Sequence, residues 1–410
     1  MMRGVTPRRR ELRSMHLLIF AAQRIQSRMK NPLSWTLFVL ILFSSLVTAE
    51  QDQSGNINKH DEQARPLQDI GPVQTYNPNL PGDVRVKASI TRILEPGERV
   101  DIPYVQALGQ WTIQRLTERS FWVMSEQFAV TVFVGERGVL VIDAPDVFDM
   151  EEFVRQVKKI TPLAINTVVY SHPHVDHVGN SNKLAAVLKE SGIELRIIAS
   201  EHAVREIKRY KNAIALPTET VPNGRSTFTF ENWTFKHVTP VDWAHTGADS
   251  YIVTPGGVLH VVDFFYPGRL PLAEVSGVQN MTGWIEMCRH IAGDPDWKLA
   301  SLGHANVGHR GDVMRTLEYF KGLYAHAFDV FKGFQPEIFQ QFSGQNTGVM
   351  IRLMFDGGAA QLAELVAKKW NHLPHWEVAR DHAEKVLWDV ALNYNYHEKT
   401  LPDFEPIVRP

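Results

Sequence analysis

His172-Pro173-His174-Val175-Asp176-His177 places four metal-capable side chains within six residues. Two histidines at i and i+2 share a face only on extended backbone, where successive side chains alternate. Pro173 reinforces that geometry by pushing His172 toward β or polyproline dihedrals. The residues before it, Ile165-Asn166-Thr167-Val168-Val169-Tyr170, are rich in β-branched side chains and read as a buried strand. Helical spacing follows from about Ser181 to Lys189. The stretch therefore sits where a strand ends and a helix begins, the usual position of a site in an α/β sheet. Imidazole with carboxylate suits Zn2+, with Fe or Mn as further candidates.

A strand followed by HxHxDH resembles the metallo-β-lactamase superfamily, a four-layer αββα sandwich of metal-dependent hydrolases in the α/β class. The resemblance spans about residues 110–310 and implies three later ligands, for which the chain has candidates in the family's order. Ala244-His245-Thr246-Gly247 follows a strand-like run, Thr227 to Val238. Val258-Leu259-His260-Val261-Val262-Asp263 is an apolar strand ending in a carboxylate. Leu302-Gly303-His304 follows Trp297 to Ser301. Carried over residue by residue, His172, His174 and His245 would hold a first metal ion. Asp176, His177 and His304 would hold a second, with Asp263 bridging both. Two zinc ions per chain are thus expected, with water activated between them and Asp176 and Asp263 orienting it and accepting its proton. His309 competes with His304, since Gly303 to His309 contains both. Asp143 and Asp249 are candidate acceptors for ligand N–H groups, or ordinary turn residues. His237 and His260 read as structural.

The ends and the charge balance narrow the function. Residues 1–30 carry seven Arg and one Lys against one Glu, and residues 31–49 carry no charge. Trp35 to Phe43 is apolar and Val47-Thr48-Ala49 fits a cleavage site, so residues 1–49 read as a signal-peptide region, conventional if it starts at Met29. Periplasmic or secreted localisation is expected, with an uncleaved membrane anchor as the alternative. Taking those eight basic and one acidic residues from 43 and 45 leaves 35 and 44, a net charge of −9. That balance is a poor footprint for nucleic acid and counts against nuclease branches such as ribonuclease Z. Cys288 is the one cysteine, so no intrachain disulfide forms and water on metal is the favoured nucleophile.

Residues 50–95 read as a polar, flexible lead-in, 96–311 as the metallo-β-lactamase-fold domain, and 312–410 as a helical C-terminal extension. Two roles fit those helices: covering the pocket, or pairing in a homodimer. The expected partner is a small-molecule substrate, with no nucleic acid and no stable membrane partner after cleavage. An aspartate at the bridging position resembles lactonases and general hydrolases, so an ester, lactone, amide or related bond is the expected target. The alternatives are β-lactamase-type activity or a mononuclear iron dioxygenase of the same fold. Trp243, Phe264, Phe265, Tyr266 and Trp284 flank the ligand elements and read equally as pocket lining or as core.

Overall fold

Side chains alternate across a strand, so a sheet buried on both faces feeds two cores at once. A computed structural model of the chain describes residues 84–408 apart from 104, 212, 276, 335–345 and 395–399. The expected signal region, its start at Met29 and the lead-in up to residue 83 lie outside the described residues. Residues 74–335 and 355–410 form one compact unit. Of the other, residues 1–73 and 336–354, only 346–354 are described.

The first strands, β1 (Val84–Val86) and β2 (Glu98–Val100), pair in parallel. Leu94 between them is buried and bonded through its N–H to Arg115. Residues 84–95, read from the sequence as lead-in, are therefore built into the fold. A three-residue strand with a distant partner leaves too short a pattern to stand out from a polar, Pro/Gly-rich stretch.

A seven-stranded sheet follows in strand order: β3 (Trp111–Arg115), β4 (Ser120–Ser125), β5 (Phe128–Val134), β6 (Val139–Ile142), β7 (Ile165–Val169), β8 (Arg196–Ser200) and β9 (Glu219–Val221). The pairings are antiparallel as far as β6 and parallel from there on. Parallel neighbours need crossovers, supplied by α1 (Met150–Ile160), α2 (Val175–Val178) with α3 (Ser181–Glu190), and α4 (Glu201–Tyr210). Phe121, Val123, Val130, Val132, Val139 and Val141 pack outward with Phe153, Val157, Leu184, Leu188 and Ile207 of these helices. The alternate residues face the second sheet.

That sheet has six strands: β10 (Gly224–Phe230), β11 (Trp233–Thr239), β12 (Tyr251–Val253), β13 (Val258–Val261), β14 (Leu299–Leu302) and β15 (Val307–Gly308). Phe133, Leu140, Ile142, Val169 and Ile198 meet Phe228, Phe230, Phe235 and Ile252 between the sheets. Trp122, Met124 and Ala129 meet Val258, Leu299 and Val307 in the same layer. Helices α5 (Met281–Gly293), α6 (Arg310–Gly333), α7 (Thr347–Trp370) and α8 (Ala379–Asn393) complete the described fold. Trp284 of α5 stacks on Phe264, after β13, and meets Phe320 of α6 edge-on. The architecture is an αββα sandwich with a C-terminal helical extension.

One buried ion pair ties the early chain to that extension. Arg99 of β2 donates from Nη2 to Asp312 Oδ1 (2.7 Å) and from Nη1 to Oδ2 (3.1 Å), and both side chains are 0% exposed. Burial opposes the charge of Asp312, but Arg99 outweighs it and holds the carboxyl below its usual range. Its contribution is therefore present above the unfolded carboxylate value and lost as pH falls through the lower, folded one. Asp312→Ala strands the arginine charge, and we expect a loss of about 3–5 kcal/mol in urea unfolding at neutral pH.

Candidate metal centre

The site is assembled at strand ends. β6 and β7 pair in parallel with Ile142 opposite Val169, so Asp143 arrives beside Tyr170 and Ser171. Asp143 takes a left-handed backbone (φ 73°), a conformation aspartate tolerates better than most residues. Its Oδ1 accepts from Ser171 N (2.8 Å) and its Oδ2 from Ser171 Oγ (2.7 Å). With its own proton committed, Ser171 Oγ can only accept from His172 Nδ1, 3.1 Å away. That contact fixes the tautomer of His172 and leaves the lone pair of Nε2 facing the centre. His172 Nε2 is buried with no hydrogen-bond partner among the described residues. His174 lies on extended backbone just before α2, and α2 itself carries Asp176 and His177.

The second sheet brings the rest. β13 and β14 pair in parallel with Val261 opposite Leu302. Asp263 and His304 each lie two residues past that pair, so they emerge side by side. Gly303 is required there, since a Cβ would lie 1.9 Å from Val262 Cγ1 and 3.0 Å from His177 Cε1. Phe128 packs on the rings of His304 and His177, at centroid distances of 4.6 and 5.7 Å. His245 comes from the loop between β11 and β12, where Asp249 accepts from Thr246 N and Oγ1 (2.7 Å each) and closes the turn.

All seven side chains named from the sequence converge, in two groups. His172, His174, His245 and Asp263 form one, and Asp176, His177 and His304 the other; within each the ligand atoms lie within 4.8 Å of one another. His245 Nε2 is 3.0 Å from His174 Nδ1, and His177 Nε2 is 3.1 Å from His304 Nε2. Asp263 Oδ2 lies 3.2 Å from His245 and His177 Nε2 and 3.6 Å from His172 Nε2, while Oδ1 lies 3.2 Å from His304 Nε2. Asp176 Oδ2 is 3.4 Å from His177 Nε2. Tetrahedral zinc with bonds of about 2.0–2.1 Å spaces its ligand atoms about 3.3–3.4 Å apart. The donor set, the spacing and the aimed, unpartnered His172 nitrogen all fit divalent cations.

Electrostatics point the same way. Burial, with the neighbouring histidines, pushes His172 well below its usual value and His174 down to about 4. Burial also opposes the charge of His177 and His245, but Asp263 outweighs it, raising His245 and bringing His177 up to about 9. Burial would raise Asp263, yet His177, His245 and His304 hold it well below the carboxylate range. Protons and cations compete for these nitrogens, so metal binding would release protons and weaken as pH falls.

Several sequence expectations resolve here. His309 is outside the cluster: it opens α6, its Nδ1 accepting from Gly311 N and its N–H donating to Asp312 Oδ2. His260 is structural, bonded to Thr131 Oγ1 (2.9 Å) and Asp143 Oδ2 (3.0 Å). His237 is buried, and its burial lowers it to about 4. Asp249 holds the turn after His245 rather than the ring. Phe264, Phe265 and Trp284 are buried, with Phe264 stacked on Trp284 of α5 and Trp284 edge-on to Phe320 of α6; Trp243 is 41% exposed. Sequence reasoning did not assign Ser171 or the Tyr266 hydroxyl, which donates to Asp263 Oδ1 (3.2 Å). Tyr266 follows Asp263 by three residues within a turn, a spacing that could have flagged it.

The two histidines past β14 give a direct test. His304→Ala should lower the metal stoichiometry read by elemental mass spectrometry. His309→Ala should leave that stoichiometry unchanged and cost about 1 kcal/mol of stability as a lost helix cap.

A family model described as the metallo-beta-lactamase superfamily matches residues 127–304. Among solved structures, the chain is similar to a metallo-beta-lactamase from Pontibacter korlensis at 15% identity and a TM-score of 0.44, covering 51% of this chain and 98% of that one. It is similar to VMB-1 at 17% identity and a TM-score of 0.42, covering 50% and 94%. A third, DIM-1, has 15% identity and a TM-score of 0.41, covering 50% and 95%. No curated protein sequence matches the chain. Residues 127–304, which the metallo-beta-lactamase superfamily model matches, carry all seven of the converging side chains.

Proposed function

We propose that this protein is an exported hydrolase holding two divalent cations, zinc foremost, that cleaves an ester, lactone, amide or related bond in a small molecule. The superfamily match and the histidine–aspartate cluster support a metal-dependent hydrolase in general. The two-ion reading is carried by Asp263, whose Oδ2 faces His172 and His245 of one group and His177 of the other, while its Oδ1 faces His304. Two cations there would supply hydroxide near neutral pH and polarise the attacked oxygen.

The chain's own groups then have distinct tasks. Asp263, 4% exposed, would hold both halves of the centre together. The Asp176 side chain is 43% exposed and is free to orient water and receive its proton. His174 and Asp176 are the two members of the cluster that are not buried, so the cluster opens on their side. Next to them in sequence, Val175 is an exposed apolar side chain, and Trp243 is another beside His245. That rim supports a substrate with an apolar or aromatic portion. The charge balance supports a small molecule rather than nucleic acid, and residues 1–49 support export. Among the described residues no helix is long and apolar enough to cross a membrane.

Protein purified without added metal should contain two zinc ions per chain by elemental mass spectrometry. Asp263→Ala should leave one and lower hydrolysis by about two orders of magnitude or more, since cation stabilisation of the reaction is worth several kcal/mol. One iron per chain with oxygen uptake would favour dioxygenase chemistry instead, and unchanged metal content in Asp263→Ala would sink the bridging role. Lactones, aryl esters, phosphodiesters and β-lactams form the first substrate panel.

A further inference from the structure

After β13 the chain runs through residues 264–280 before entering α5, with one short 3-10 turn at Ala273–Val275. Such a segment keeps one shape only if outside groups satisfy its backbone. Several of those groups come from the C-terminal region. Leu270 N donates to Pro374 O (3.1 Å), and Lys385 Nζ donates to Val278 O (2.6 Å). His382 Nε2 donates to Leu272 O (2.8 Å), which leaves its Nδ1 to accept from Tyr319 Oη (3.1 Å).

The same region reaches the carboxylate itself. His375 lies just before the 3-10 turn Trp376–Val378 that leads into α8, in a left-handed backbone (φ 67°). Its Nε2 is 2.8 Å from Arg269 Nη1. Guanidinium only donates, so the imidazole must accept through Nε2 and carry its proton on Nδ1. Burial, then the Arg269 charge, accordingly lowers His375 to about 3. Arg269, 2% exposed, lies over the Tyr266 ring at 5.0 Å from its centroid. The Tyr266 hydroxyl in turn donates to Asp263 Oδ1 (3.2 Å), the oxygen facing His304. A cation over a phenol polarises it and strengthens its O–H as a donor.

We propose that His375 and Arg269 are positioning residues for Asp263, through which the C-terminal extension sets the half of the centre formed by Asp176, His177 and His304. The inference rests on the two-ion reading above. An apolar pair could fill the same volume without burying a charge; a guanidinium held at one end and laid on Tyr266 at the other adds orientation. Tyr266 takes one lone pair of Asp263 Oδ1 and leaves the other for a cation, which fixes the carboxylate's rotation.

Cobalt(II) titration of the full-length protein, followed by its visible absorption, tests this. The wild-type chain should bind two ions. His375→Leu should bind the first normally and the second about tenfold more weakly, at the lower end of what outer partners of ligands are worth. His375→Gln, whose Oε1 can accept from Arg269, should restore the second ion to within about twofold of wild type. Tyr266→Phe should reproduce the His375→Leu defect from the other end of the chain of contacts, and it decides the matter should His375→Leu not fold. Two ions bound with wild-type affinity and spectrum in His375→Leu or in Tyr266→Phe would overturn the inference. So would a His375→Gln variant as defective as His375→Leu at equal melting temperature. If the wild-type chain takes up only one ion, the two-ion reading fails first and this inference falls with it.

Discussion

A carboxylate buried among four imidazoles is the constraint on which this structure turns. An ionised group as enclosed as Asp263 is tolerable only with opposite charge and hydrogen bonds around it. His177, His245 and His304 supply the charge and Tyr266 supplies a hydrogen bond. They come from the ends of β7, β13 and β14 and from the β11–β12 loop, so no single sheet can build the environment. Both sheets must stand in register, with Ile142 opposite Val169 in one and Val261 opposite Leu302 in the other. The alternating apolar cores on either side of each sheet are what hold that register.

The backbone records the cost. Asp143, Asp263 and Ala305 all have positive φ, and each sits where the chain leaves a strand beside the cluster. Non-glycine residues held there cost about 1–3 kcal/mol each and persist only where surroundings over-determine them. At Asp143 the surroundings are visible: Ser171 N, Ser171 Oγ and His260 all bond its carboxylate. His260 is anchored in turn on Thr131. The contact reaching His172 Nδ1 through Ser171 is thus braced from both sheets, which lets a single tautomer present Nε2 to the centre.

What was legible in the sequence follows from range. HxHxDH is local: a β-branched run, a proline and alternating histidines specify strand end and ligands within a dozen residues. The sandwich class was legible for the same reason, since strands such as Val139–Ile142 and the helices between them carry their own periodicities. The choice between His304 and His309 was not settled by spacing alone. It depends on β14 running parallel to β13, which delivers His304 beside Asp263, whereas His309 follows the antiparallel return of β15. The aromatic run Phe264-Phe265-Tyr266 was ambiguous because apolar side chains next to a site look alike in sequence. Both phenylalanines are buried, Phe264 against Trp284 of α5, while its hydroxyl gives Tyr266 a contact with Asp263. The pairing of Val84–Val86 escaped notice because three residues are too few to show a period.

The C-terminal extension is the least legible part, and the reason is physical. Its helices announce themselves by spacing, but their consequence lies in side chains that meet across more than a hundred residues, such as Arg269 and His375. Pro374, His382 and Lys385 bond part of the backbone of the segment after Asp263, and Tyr319 braces His382. The segment they hold begins at Asp263 itself, so its shape and the carboxylate's direction cannot vary independently. On the proposal above, the buried Arg269 makes the helical extension part of the site's construction.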